Sequence, residues 1–236
     1  MNDRLKKLGY VLVVLGLLFV VGAGVGYSQT QSGYRSLEKF SEAQNVSLTY
    51  NDAGQLTDHG TVEGAQTILN RLENEWGYPV NKSDLDPNDP LINTPTEYMY
   101  QMATISTHVL DGTQTVTLNQ PVDYNGQHYE AGQPIEAAVD GRYYSEFDHS
   151  DPVASAVRTQ AWSGTVLGMI GELGVGAVTA SALKLALGLS ALFAGVGLVV
   201  IIVGAGLVWA AAGAAKKEIS FATERAIDRE LTTAGV

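Results

Sequence analysis

Cysteine is absent from this chain of 236 residues. The absence excludes a disulfide framework, a thiolate nucleophile and any zinc site built on sulfur, whatever the compartment. Positive charge is scarce as well: 14 Lys and Arg stand against 25 Asp and Glu, for a net charge of −11. Binding to a phosphate backbone needs a basic face, and the polar centre of the sequence offers none, which excludes DNA and RNA as partners. The four histidines form no HxH or HExxH pair. No Walker lysine pattern, no GxGxxG following a strand and no GxSxG elbow occurs, and no internal repeat is present. The sequence therefore points to a protein with no catalysis of its own and no cofactor.

Two long apolar blocks, one near each end, enclose a polar acidic middle. The first, Leu8–Tyr27, carries no charge over about twenty residues, the length that crosses ~30 Å of hydrocarbon as a helix. Arg4, Lys6 and Lys7 precede it and place residues 1–7 in the cytoplasm by the positive-inside tendency. A signal peptide is the alternative reading. Its apolar core usually runs only about 7–15 residues, and the Ala-x-Ala cleavage form is missing, so 8–27 is expected to be a retained span.

The second block begins at Trp162 and is too long for one crossing. Its later part, 185–212, is uncharged and strongly apolar and is the expected second span. Its earlier part, within 156–184, carries Glu172 and Lys184, and a mid-bilayer carboxylate costs about 2.5–3.5 kcal/mol on insertion scales. That segment is expected to be an interfacial or membrane-associated helix whose charged groups snorkel to water, with a third span as the alternative. Two spans return 213–236 to the cytoplasm, where Lys216 and Lys217 satisfy the positive-inside tendency and Ile219, Ile227 and Leu231 share one face of an amphipathic tail. Gly22 with Gly26, and Gly164 with Gly168, have GxxxG spacing and are the candidate helix-packing positions, most simply between the two spans of one chain.

The middle segment, 28–155, holds most of the negative charge, offset by Arg35, Lys39, Arg71, Lys82 and Arg142. Tyr34, Leu37, Phe40 and Ala43 continue the first span as a short amphipathic helix. Alternation around Asn51–Gly54 predicts a hairpin, and Ile68, Leu69, Leu72 and Trp76 form a helical stripe stopped by Gly77 and Pro79. Thr94, Pro95 and Glu97 have capping-box spacing and open a helix that Gly112 closes, with Tyr98, Met99, Met102, Ile105 and Leu110 facing inward. From Thr113 to Phe147 the period changes to two, with Asn125–Gly126 and Asp140–Gly141 as type I′ turns. The expected fold is two transmembrane helices flanking a small α+β extracytoplasmic domain with an antiparallel β-meander.

Asp84, Asp86 and Asn88 occupy the first three ligand positions of a calcium loop, but Asp89 and Pro95 stand where that loop needs Gly and Glu. His108, His128 and His149, with His59, are the other metal candidates, and only folding could join them to Asp111, Glu130 or Asp148. Ser106 near His108 has no third partner for nucleophilic catalysis. Asn45 and Asn81 stand in glycosylation sequons.

The runs FSEAQNVSLTYNDAGQLTDHG, DLDPNDPLINTPTEYMYQMATI and RTQAWSGTVLGMIGELGVGAVTASAL together resemble an uncharacterised family of membrane proteins from high-GC Gram-positive bacteria. The resemblance spans most of the chain and implies no activity. Similar-looking sequences sometimes carry a ring-opening-dioxygenase label, which requires a two-histidine, one-carboxylate iron site that the sequence does not single out. The expected role is that of a plasma-membrane accessory or interaction subunit of a cell-envelope complex, touching the lipid bilayer and a protein partner or a second copy. An outer-domain sensor of a ligand or metal is the first alternative, and a metal-dependent enzyme the second.

Overall fold

The computed structural model describes the backbone of residues 2–141, 143 and 146–233, and the side chains of these except Asn2, 214–220, 222, 224 and 226–233. The expected amphipathic tail is therefore helical in backbone, while Ile219, Ile227 and Leu231 lie outside the described side chains. The chain forms two compact units, Met1–Gly33 with Leu183–Val236, and Tyr34–Ala182.

The first unit is built from parts of two helices, α1 (Asn2–Gln44) and α5 (Gly164–Thr233). Both are long and apolar enough to cross a membrane, with mean hydropathy of 2.5 and 2.7 in their most apolar windows. The 43 residues of α1 rise about 65 Å, more than twice what a ~30 Å hydrocarbon layer requires. The polar run Ser28–Ser32 holds no proline, and its hydroxyls fold back on the helix: Thr30 Oγ1 donates to Gly26 O at 2.8 Å and Ser32 Oγ to Ser28 O at 3.2 Å. Helix α1 stops at Asn45, which takes a left-handed φ of 51° while its N–H closes on Ser41 O at 2.9 Å.

The second unit opens with a hairpin of β1 (Thr49–Tyr50) and β2 (Leu56–Thr57). Asn51 shapes its turn, the Oδ1 atom accepting from Ala53 N at 3.0 Å and Gln55 N at 2.9 Å. Helix α2 (Val62–Asn70) starts at Thr61, whose hydroxyl accepts from Gly64 N, and continues as a π turn over Arg71–Glu75. Ile68 and Leu72 of this stretch are fully buried. Helix α3 (Pro95–Leu110) forms both halves of the expected capping box and has Pro95 in its first turn. It is buried on more than one face, enclosing Thr96, Thr104, Ser106 and Thr107 as well as Tyr98, Tyr100, Ala103 and Leu110. Ser41 on α1 and Tyr98 share a buried hydrogen bond of 2.9 Å, and Gly176 on α5 lies against the Tyr98 ring. Of the expected amphipathic stripe on α1, Leu37 is buried, whereas Phe40 and Ala43 are exposed.

The β-region departs from the expected meander. Strand β3 (Thr113–Thr117) pairs antiparallel with β6 (Pro134–Ala138), and between them β4 (Val122–Tyr124) pairs with β5 (Gln127–Tyr129) as a separate hairpin. The reason is burial: Val116 and Ile135, opposite each other in the β3–β6 pair, share a core with Ala137, Val139 and with Val153, Val157 and Ala161 of helix α4 (Pro152–Ala161). Asn125 and Gly126 take φ of 50° and 77°, the expected left-handed pair, and Asp140 and Gly141 take 64° and 65°. The latter turn leads into no strand among the described residues; Arg142, Tyr144 and Ser145 of the expected GRYYSEF strand lie outside them. The segment 156–184 divides at Trp162–Ser163. Ser163 then caps α5, its Oγ accepting from Val166 N at 3.3 Å, and the rest of that segment is the opening stretch of the same helix that carries 185–212.

Candidate functional site

Within the first unit the two apolar helices meet through small residues seven apart. Gly9, Gly16, Ala23 and Thr30 of α1 are buried, as are Ser190, Gly197, Gly204 and Ala211 of α5. A Cβ placed on Gly9 would lie 2.6 Å from Gly204 O, and one on Gly16 2.6 Å from Gly197 O, so the backbones touch and the helices run antiparallel. Gly26 faces the Ser190 hydroxyl, and Gly33 abuts the Leu183 side chain. A seven-residue period belongs to left-handed crossings near +20°, where every second turn returns to the seam. GxxxG spacing serves the opposite hand, and the expected positions divide accordingly: Gly26 is in the seam, while Gly22, Gly164 and Gly168 have nothing within 4 Å of an added Cβ.

The large apolar residues of this pair face outward. Leu18 is 64% exposed, Ile202 69% and Trp209 80%, and only 17% and 11% of the most apolar windows are buried. A core helix of a water-soluble protein would bury that stripe.

In the second unit, folding joins three potential donor atoms that the sequence keeps apart. The β2–α2 connection is a two-residue turn in which Asp58 and Thr61 exchange backbone hydrogen bonds of 2.9 Å across His59 and Gly60, with φ of 48° and 78°. Near the end of α3, His108 Nε2 lies 2.9 Å from Asp58 Oδ2. The His59 and His108 rings are 4.4 Å apart at 37°, and one donor atom from each of Asp58, His59 and His108 falls within 4.8 Å of the others. Beneath them, burial and then the Asp58 charge push the Tyr100 hydroxyl above its ordinary range. Burial, followed by the charges of Glu97, Asp86 and Asp89, raises Tyr50 to about 12. Both phenols keep their protons at neutral pH.

The other expected site residues stay separate. Asp86 Oδ1 accepts from both nitrogens of Asn88 at 2.9 Å, forming an Asx turn, and Asp84 accepts from Asn81 Nδ2 at 2.5 Å. His128 bonds Asp123 at 2.7 Å on an open hairpin, a contact that raises its pKa. His149 lies against the Phe147 ring at 4.1 Å, next to Asp148, whose carboxyl is lowered by the Ser150 hydroxyl and N–H. Asp111 holds the buried Arg71 at 3.4 Å, and Ser106 is buried without forming a triad among the described residues. Glu172 sits in the second unit and lines, with Phe40, Ile92, Tyr98, Met169 and Leu173, a mostly apolar groove of ≈ 160 Å³. Lys184, in the first unit, precedes the charge-free run of α5.

No protein-family model, curated protein or solved structure matches this chain. Its own geometry is what speaks to function. Sequence reasoning missed the seam because it sought glycines four apart, although small residues at 9, 16, 23 and 30 and at 190, 197, 204 and 211 are visible at a period of seven. His59 joining His108 had a fainter signal, the turn-forming Asp58-His59-Gly60 before a capping Thr61.

Proposed function

We propose that this protein is a membrane-anchored interaction subunit: two paired spans carry a small acidic α/β unit that makes protein contacts in a cell-envelope complex. The observation that carries the reading is the inside-out packing of α1 against α5, with glycines at the seam and large apolar side chains facing out. Such a surface suits lipid and not water. The backbone contact between the helices supports α1 as a working part of the folded protein rather than a leader. Antiparallel spans put both chain ends on one side. Arg4, Lys6, Lys7, Lys216 and Lys217 make that side cytoplasmic by the positive-inside tendency, which leaves residues 34–182 outside. The apolar groove walled by Phe40, Ile92 and Met169, in an otherwise acidic unit, supports contact with a protein partner.

Protease added to intact cells expressing the full chain should degrade the 34–182 unit and spare both tails, and a mild-detergent pull-down should recover a second protein or a higher oligomer. Digestion of the lysine-bearing tail from outside overturns the placement. Recovery of the monomer alone, from cells that make the protein naturally, overturns the interaction role.

A further inference from the structure

We propose that Asp58, His59 and His108 form a binding site for one divalent first-row transition ion, of which zinc is the reference case. The donor set is two imidazoles and one carboxylate, a combination chosen by Zn, Fe, Co, Ni and Cu and poorly suited to calcium or magnesium, which take oxygen ligands. Two neutral imidazoles add no charge, and a single carboxylate leaves a divalent ion with a net positive charge that draws water or an anion into the open positions.

The spacing fits. An ion about 2.1 Å from each donor sets neighbouring donors about 3.0 Å apart at octahedral angles and about 3.4 Å at tetrahedral ones. Asp58 Oδ2 and His108 Nε2, at 2.9 Å, already stand at such an edge. The third donor, within 4.8 Å of both, comes from an exposed imidazole on a turn and reaches the same ion by a side-chain rotation. A plain hydrogen bond between His108 and Asp58 explains that one edge. It does not account for the second imidazole, which the left-handed turn at His59 presents with its ring 4.4 Å from that of His108.

The frame is stiff and the mouth open. Mutual backbone hydrogen bonds between Asp58 and Thr61 fix the turn, and His108 stands on a capped helix. The His108 side chain is 37% exposed and that of Asp58 17%, so an ion reaches the donors from solvent. Because turn and helix are fifty residues apart, a bound ion staples the β1–β2 hairpin to α3 and stabilises the folded unit by linkage.

The test uses the full chain, purified in mild detergent without a histidine tag, titrated with zinc chloride by calorimetry and by thermal melting. One ion per chain with a micromolar Kd and a rise in Tm is the expected result. His59→Gly keeps the left-handed turn and His108→Gln keeps a donor to Asp58, so both variants fold; each should weaken zinc at least as much as loss of an outer-shell partner does, about 10–100-fold. His128→Gln, on the separate hairpin, should leave affinity unchanged, and excess calcium should not compete. Absence of binding at about 1 mM zinc overturns the site, as does an affinity that survives both His59→Gly and His108→Gln. These outcomes are read on purified protein and do not depend on which side of a membrane the unit occupies.

Discussion

The two units of this chain solve opposite packing problems with the same set of residues. In the Tyr34–Ala182 unit, Ile68, Leu72, Leu110 and Ile135 are fully buried, and Gly54, Gly77 and Gly126 serve turns with positive φ. In the paired helices, glycine occupies the seam and Leu18, Ile202 and Trp209 face out. Water drives large apolar side chains together, whereas lipid is as apolar as leucine and rewards only close van der Waals contact, which small residues permit. Size at the contact therefore inverts from one unit to the other, and substitutions should invert with it.

The largest effect is expected in the water-facing core. Leu72→Ala should destabilise the Tyr34–Ala182 unit by about 2–5 kcal/mol in denaturant melts, because its full burial leaves a cavity that the π turn around it has little room to close. In the paired helices the damaging change runs from small to large. Gly16→Leu drives a Cβ to within 2.6 Å of a backbone oxygen and should cost about 1–3 kcal/mol of pairing. Gly22→Leu, in open space, should cost nothing measurable. Crosslinking reads the pairing directly in this cysteine-free chain: Ser190 Cβ lies 3.9 Å from the Cβ position of Gly26, within the range for a disulfide. The pair G26C/S190C should oxidise within one chain, G22C/S190C should not, and G16L should suppress the first.

Effects at the α3 capping box should be smaller. Thr94→Ala should cost about 1 kcal/mol. Burial holds the Glu97 carboxyl above its ordinary value, against the opposing pull of hydrogen bonds from Asn93 N and Thr94 N at 3.0 and 2.8 Å. The folded chain then binds that proton more tightly than the unfolded one. This part of the stability is complete below the unfolded value of about 4.3 and is lost as pH rises through the raised folded value. Tm followed against pH should show that fall in the parent chain and not in Glu97→Gln, which keeps the box. At the bottom of the scale, Asp86→Asn, in an exposed Asx turn, should shift stability by no more than about 0.5 kcal/mol.

Local grammar made much of the fold legible before any coordinates. Thr94, Pro95 and Glu97 spelled a helix start, and Asn125–Gly126 a hairpin turn, because each motif contains its own physics within a few residues. Pairing partners did not follow. Whether β3 lies beside β4 or β6 depends on Val153 and Val157 covering Val116 and Ile135, a contact between distant segments that alternation cannot encode. The same limit hid the meeting of His59 with His108. Glu172 and Lys184 set 156–184 apart as an interfacial helix ahead of 185–212, and α5 joins 164–184 to that run because nothing in 164–213 stops a helix.

Antiparallel contact between Gly9 and Gly204 also sets a timetable. At about 5–20 residues per second of synthesis, the first apolar helix waits roughly 10–40 s for its mate to leave the ribosome. Everything from Tyr34 to Ala182 has been made by then. The intervening unit can settle first, and on the membrane placement proposed above zipping of the glycine seam becomes the last event of biogenesis, so that a nascent chain truncated before Gly197 leaves the groove of Gly9 and Gly16 unfilled.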